Sequence, residues 1–263
     1  MPPNPVVITR PLAQAKPLAA RVAALGRQVE LLPLLEIHPL ADAAALVAAL
    51  ADLHRYAMVA FVSPNAIDAA FAHITQWPAG VTLAVLGEGS RLALAAHGIT
   101  PANATIVSPF DAAHSDSEHL LATLDLEALR GQRVLIVRGD SGRELLADGL
   151  RAAGVLVTPV TAYRRSVPML TPALGATLLR LLARDHHWVV TSSEALRGLL
   201  LLLAQLDGES GVADHRAVVK LQQQHLIVPH ARIAQTATEL GCTRLTLTGS
   251  GDELLLAALQ SLP

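Results

Sequence analysis

The sequence predicts an α/β fold of two similar domains, each a parallel sheet flanked by helices. Three observations predict it. Short runs of apolar, β-branched residues alternate with helical patterns along the whole chain, which implies parallel sheets. The runs are apolar throughout rather than alternating, as strands buried on both faces are. Finally, the order of motifs in the first half returns in the second.

The elements follow in order. VVIT (6–9) leads into a helix stopped near Gly26, and a second strand begins at Val29. MVAFV (58–62) precedes a helix over 65–74. TLAVL (82–86) precedes one over 90–96, with Gly98 as its stop. RVLIV (133–137) precedes a helix over 143–153 stopped by Gly154, and a strand begins at Val157. WVVT (188–191), HLIV (225–228) and RLTLT (244–248) each precede a further helix. Residues 207–220 read as a surface connection followed by a partial helix.

The repeat is specific. VITR (7–10) resembles LIVR (135–138), and SPNAI (63–67) resembles SSEAL (192–196). From each arginine it is 16 residues to a glycine, Arg10 to Gly26 and Arg138 to Gly154. SEHLLATL (117–124) resembles DELLLAAL (252–259). The units therefore run A, B, A′, B′. LEIHPL (35–40) and YRRSVPML (163–170) are the predicted crossings, since Pro39 and Pro168 disfavour helix before them. One domain is then continuous over 38–165. The other combines 1–37 with 166–263.

Composition excludes several classes. Hydrophobic residues make up 52% of the chain, enough for sizeable cores, with 3% aromatics. The formal charge of −2, without long runs of one sign, predicts neither nucleic-acid binding nor a polybasic membrane surface. The run around 198–206 is too short to span a bilayer, so no membrane partner is expected. MPPNPVVITRP lacks the pattern of a signal peptide. One cysteine, Cys242, leaves no disulfide framework and reads as a small buried residue. A reducing cytoplasm and a monomer are the expectations. His186 and His187 are adjacent, a poor spacing for one metal, and read as a surface pair. GEGS (87–90) lacks the third glycine of a dinucleotide loop, RGDSGRE has no P-loop lysine, and no G-x-S-x-G elbow occurs. No metal site is predicted.

VVTSSEALRGLL (189–200) places three hydroxyls, Thr191, Ser192 and Ser193, where a strand meets a helix. Ligands bind beyond the carboxyl ends of parallel strands, where helix N-termini offer unpaired N–H groups to anions. Capping alone is the plainer reading of any one such site. Ser63 and Asn65, Gly87 to Ser90, Arg138 to Ser141 and Thr248 to Asp252 repeat the arrangement. Two such edges facing one another would suit a ligand with many carboxylates.

These residues together resemble the uroporphyrinogen-III synthase family. The matching stretches are ITRP (8–11), FVSPNAI (61–67), VLGEGSRLAL (85–94), LIVRGDSGRELLADGLRAAGVLVTPVTAYRR (135–165), VVTSSEALRGLL, VPHARIA (228–234) and LTGSGDELLLAAL (247–259). The RG-x-x-GRE segment leading to a Tyr-x-Arg pair is the most specific. The resemblance implies two α/β domains joined by a two-stranded connector, with the active site between them. It implies hydroxymethylbilane as substrate, closed to uroporphyrinogen III with loss of water and inversion of ring D, without a cofactor.

By the same resemblance Tyr163 is the catalytic candidate. A phenol is protonated at neutral pH and can donate to a departing hydroxyl; a packed linker tyrosine is the other reading. Its counterpart in the first repeat is Leu35. Arg10, Ser63, Asn65, Ser90, Arg138, Gly139, Thr191, Ser192 and Ser193 are candidates for binding substrate. Arg138 reads equally as a bidentate carboxylate ligand or as half of a structural ion pair. One departure stands out. Many relatives have Gly-Pro-Thr-Thr-Ala near 228–232, where this chain has Val-Pro-His-Ala-Arg. His230 and Arg232 are therefore candidates to bind the same carboxylate by charge. A non-catalytic tetrapyrrole- or polycarboxylate-binding protein of the same build is the competing reading.

Overall fold

A computed structural model describes residues 3–110, 116–209 and 216–262. In chain order the strands are β1 (Val6–Ile8), β2 (Val29–Leu31), β3 (Glu36–His38), β4 (Met58–Phe61), β5 (Thr82–Val85), β6 (Ile106–Val107), β7 (Arg133–Gly139), β8 (Leu156–Ser166), β9 (His187–Val189), β10 (His225–Val228) and β11 (Arg244–Leu247). The helices are α1 (Leu12–Ala24), α2 (Ala44–Ala51), α3 (Pro64–Phe71), α4 (Glu88–Ala96), α5 (Ser117–Thr123), α6 (Leu126–Leu129), α7 (Leu145–Ala152), α8 (Pro172–Leu181), α9 (Ser193–Glu209), α10 (Arg216–Gln223), α11 (Ala231–Glu239) and α12 (Asp252–Ser261). No helix among the described residues is long and apolar enough to cross a membrane.

The chain divides into two compact units. One is Met1–Glu36 with Ser166–Pro263, the other Ile37–Arg165. The first holds a five-stranded sheet of order β11-β10-β9-β1-β2, all parallel. The second holds six strands, β3-β8-β7-β4-β5-β6, parallel from β8 to β6. The α/β class read from the sequence is the fold observed. The chain passes between units at β3 and at the end of β8, two strands that are hydrogen-bonded neighbours.

The repeat reappears as topology. Reading β2, β1, β9, β10, β11 against β8, β7, β4, β5, β6 gives the same order in both sheets. The helices agree: α1 packs on α12 in one unit, as α7 packs on α5 in the other. At the two stops, Gly26 and Gly154 have φ of 77° and 82°, a left-handed turn that glycine adopts without strain.

Each sheet is covered on both faces. Val6, Val7 and Ile8 are fully buried, Val7 against α9 and α11 residues such as Leu199 and Ile233, Val6 and Ile8 against Leu18 of α1 and Leu255 of α12. In the other unit Phe61 and Val137 share a core with Ile67, while Met58 and Ile136 share one with Leu150. The all-apolar strands follow from this double burial. Cys242 is 2% exposed, and burial pushes its thiol up to about 11, so it packs as a small apolar residue.

His186 and His187 do not form a surface pair. Each is 1% exposed, at the head of β9. Arg27 of the α1–β2 turn reaches His187 Nδ1 at 2.9 Å, and the Gln224 carboxamide oxygen accepts from the His186 backbone N–H at 2.8 Å. Of the connection 207–220, the helix expected at its end is α10, from Arg216, while its start differs from expectation. Residues 207–209 complete α9, 210–215 lie outside the described residues, and Asp207 is buried.

Candidate active site

Because the strands in each sheet run parallel, their carboxyl ends share one edge. In the unit Ile37–Arg165 that edge carries Ser63 after β4, Gly87 to Ser90 after β5, Ser108 after β6, the loop 140–144 after β7, and Tyr163 near the end of β8.

Ser63 is the N-cap of α3 and its Oγ accepts from the Ala66 N–H at 3.1 Å. The same Oγ lies 3.0 Å from the Tyr163 hydroxyl. Tyr163 is 4% exposed, with its ring in the core of Phe61, Ala66, Val160 and Ala162. The structure thus brings Ser63, Gly139 and Tyr163 together. Asn65 sits half-buried in the first turn of α3, and Ser90 is buried in the first turn of α4.

Arg138 is held by Glu144 as an ion pair, its side chain 12% exposed. Of the two readings of Arg138, the structure displays the ion pair. The Tyr-x-Arg motif finds its second use here. Arg165 donates to Ser141 Oγ at 2.9 Å and to the Ser141 carbonyl at 3.1 Å, while the Arg165 N–H donates to Asp140 at 3.2 Å. Two arginines therefore pin the loop after β7. Arg91 of α4 donates to Ser108 Oγ at 3.2 Å. Sequence reasoning gave Arg91 and Arg165 no role, although the motif pointed to the second.

The edge of the other unit carries Thr9 and Arg10 after β1, Thr191 to Ser193 after β9, His230 after β10 and Thr248 to Ser250 after β11. Ser192 Oγ accepts from the Ala195 N–H at 3.2 Å, the same cap that Ser63 makes at the equivalent place. Thr191 is half-buried beside it. Ser193 meets Thr236 of α11, with 3.1 Å between their hydroxyls. Thr236 Oγ also lies 3.0 Å from the Arg232 carbonyl, which can only accept. Thr236 Oγ is the donor toward both, so its one proton is shared between the Ser193 hydroxyl and the Arg232 carbonyl. No local pattern in the sequence marks Thr236, a residue of the helix interior.

Arg10 pairs with Asp252 at the start of α12, 2.6 Å apart. Ser250 Oγ lies 3.3 Å from both ring nitrogens of His230, which precedes α11. Arg232 is exposed in the first turn of that helix. Each edge thus offers helix-terminal amides and oriented hydroxyls, with Arg10 and Arg138 already engaged. Such donors suit carboxylates. Among the described residues no group of three or more His, Cys, Asp or Glu side chains could hold a metal ion.

The family model for uroporphyrinogen-III synthase HemD matches residues 16–246. Uroporphyrinogen-III synthase of Escherichia coli (strain K12) is 32% identical over 261 residues, covering 97% of this chain and 99% of that protein. The protein of that name from Synechococcus elongatus is 29% identical over 207 residues, 76% of this chain and 74% of the other. Among solved structures, uroporphyrinogen-III synthetase from Helicobacter pylori 26695 superposes with a TM-score of 0.57 at 14% identity, over 97% of this chain and 98% of that one. A mutant of uroporphyrinogen III synthase from the extremely thermophilic bacterium Thermus thermophilus gives 0.55 at 16%, over 97% of both. These two likenesses speak for the fold. With the family model matching most of its length, the chain belongs to the uroporphyrinogen-III synthase family.

Proposed function

We propose that this chain cyclises hydroxymethylbilane to uroporphyrinogen III, with loss of water and inversion of ring D. The observation that carries the reading of the site is the Tyr163 phenol, buried at its ring and 3.0 Å from Ser63 Oγ at the sheet edge. Ser63 already accepts from the Ala66 N–H, so its own proton is available to the Tyr163 oxygen. In that arrangement the phenol proton is left for the departing hydroxyl. Loss of the hydroxyl as water produces an electrophilic azafulvene. The substituted α-carbon of the last ring attacks it to give a spiro intermediate, and fragmentation and recombination invert ring D. The pyrroles of the bilane supply the electrons, so the reading assigns no cofactor. The protein orients the chain and stabilises cationic intermediates.

The bilane's carboxylates are assigned to the polar strand ends: Asn65, Ser90 and the Gly139 backbone in one unit, Thr191, Ser192, Ser193, His230 and Arg232 in the other. Arg10 and Arg138 act there as fixed charges within their ion pairs. The reading places the reaction in the cytoplasm and asks for one copy of the chain.

The test is a coupled assay. Hydroxymethylbilane is generated with its upstream deaminase, this protein or Tyr163→Phe is added, and the oxidised type I and type III porphyrins are separated. Wild type is expected to give mainly type III. Tyr163→Phe is expected to lose at least about tenfold in rate, and about 10²–10⁴-fold where the phenol passes its proton. Type I alone from wild type, as without protein, overturns the enzyme reading. Undiminished type III from the variant makes Tyr163 structural.

A further inference from the structure

Gly139 is not a glycine for the sake of its backbone. Nine described glycines have φ in the left-handed region, and Gly139 is not one of them. Its Cβ position is instead occupied. An added Cβ would lie 3.0 Å from Tyr163 Cζ and 3.2 Å from both Cε2 and the hydroxyl oxygen. All three atoms are at the hydroxyl end of the ring.

The strand beside it is built to bring that end there. β7 and β8 run in register from Arg133↔Leu156 to Arg138↔Thr161, but the next pair is Gly139↔Tyr163. One extra residue, Ala162, makes a bulge. Side chains on a strand alternate between faces. Without the bulge Tyr163 would share the face of Thr161, opposite to Val160. With it, Val160, Ala162 and Tyr163 all enter one core. Bulges commonly re-aim a side chain in this way. The re-aimed ring crosses β7 where Gly139 leaves room, and its oxygen reaches Ser63 Oγ at 3.0 Å.

We infer that Gly139 is a positioning residue for the reaction. Its bare Cα, opposite the Ala162 bulge, sets where the Tyr163 hydroxyl stands against Ser63. The inference rests on the reading of Tyr163 as donor to the departing hydroxyl. A methyl group at 139 pushes the ring tip by a few tenths of an ångström, because its neighbour is the far end of a side chain and not backbone. Fold and substrate binding are then retained while the donor is misplaced.

The experiment compares Gly139→Ala, Tyr163→Phe and the double variant in the coupled assay, with thermal melts of each. Gly139→Ala is expected to lower kcat roughly tenfold, since small misplacements near the reacting atoms cost rate. KM should stay within about twofold, as expected when an interaction made in the transition state is what is lost. In the Tyr163→Phe background the same change should cost nothing further. The chain has two tyrosines, so ring-labelled carbon NMR of the ligand-free protein gives two Cζ signals. Gly139→Ala should move the one absent from Tyr163→Phe and leave that of Tyr56.

A wild-type kcat in Gly139→Ala, an equal loss in both backgrounds, an unmoved Tyr163 signal or a collapsed melting temperature each overturns the inference while Tyr163→Phe remains impaired. If Tyr163→Phe is fully active, the donor reading itself has failed and the inference falls with it.

Discussion

His187 is the group whose charge the fold refuses, and it predicts acid lability of the unit that contains it. The ring is 1% exposed. Its Nδ1 faces Arg27 Nη2 at 2.9 Å, and a guanidinium only donates, so Nδ1 accepts and the ring is neutral. Arg27 is itself fixed by the carbonyls of Asn4 at 2.8 Å, of Leu262 at 3.3 Å, and of Leu259. Burial lowers the His187 pKa from 6.5 to about 4, helped by Arg27, His225 and Arg244 and opposed by Asp185. The His225 ring lies edge-on, 5.1 Å between centroids, and burial lowers its pKa too.

The sign follows from proton counting. Between pH 6.5 and about 4 the unfolded chain binds a proton at His187 and the folded chain does not. Stability from this group is therefore complete above 6.5 and is lost as pH falls toward 4. The full loss is about 3 kcal/mol, of which about 2 kcal/mol is gone by pH 5. His187→Asn keeps an acceptor for Arg27 and removes the titration. Urea melts at pH 7, 6 and 5 are to be followed by the fluorescence of Trp188, buried in the same unit, in a Trp77→Phe background. The variant will be less stable at pH 7 through lost packing. Its decline from pH 7 to 5 should be smaller than the parent's by about 2 kcal/mol. Parallel curves would refute the reasoning.

Two further substitutions test the packing that supports the site. Asp207 accepts from the N–H groups of Ala217 at 3.0 Å and Val218 at 3.3 Å, so Asp207→Ala uncaps α10. It should cost about 1–2 kcal/mol in the Trp188 melt and leave kcat unchanged. A Cβ on Gly198 of α9 would lie 2.5 and 2.9 Å from the two γ-methyls of Val167, just past β8. Val167 is stiff at χ1, so Gly198→Ala should cost about 1–3 kcal/mol by overpacking. Adding Val167→Ala should restore most of it, and a double variant no more stable than the single one would contradict the assignment.

What the sequence disclosed was local. Strands β1, β4, β5, β7, β9 and β10 show because each is an apolar run between punctuators, and the Ser63 and Ser192 caps show because the acceptor stands three residues before its amide. What it concealed was long-range. Residues 163–166 read as an extended crossing and are the end of β8; extended chain and strand share φ and ψ, and only the neighbours β3 and β7 separate them. The two-residue β6 carries too few side chains to set a period. The burial of His187 depends on Arg27, distant in sequence. In the site, the motif announced Tyr163, and a structural ion pair was one of the two readings of Arg138, but its partner, Glu144 six residues on, was not named. The Ala162 bulge has no signature at all, since it is a mismatch between two strands rather than a property of either.

The two units share a strand order, a helix arrangement and a serine cap, yet they diverge where the chemistry is assigned. Arg10 corresponds to Arg138 and Leu35 to Tyr163, both of the latter pair buried. The residue after the arginine is Pro11 in one copy and Gly139 in the other. A proline there has a ring where Gly139 leaves space, and β2, three residues long, ends before Leu35. β8 runs on for eleven residues and carries its tyrosine on the sheet. The open space and the tyrosine therefore occur in the same copy. A phenol without the gap would be turned from Ser63, and a gap without the phenol would be a hole. That pairing argues that the second copy was shaped around its hydroxyl, while the first kept the same scaffold without it.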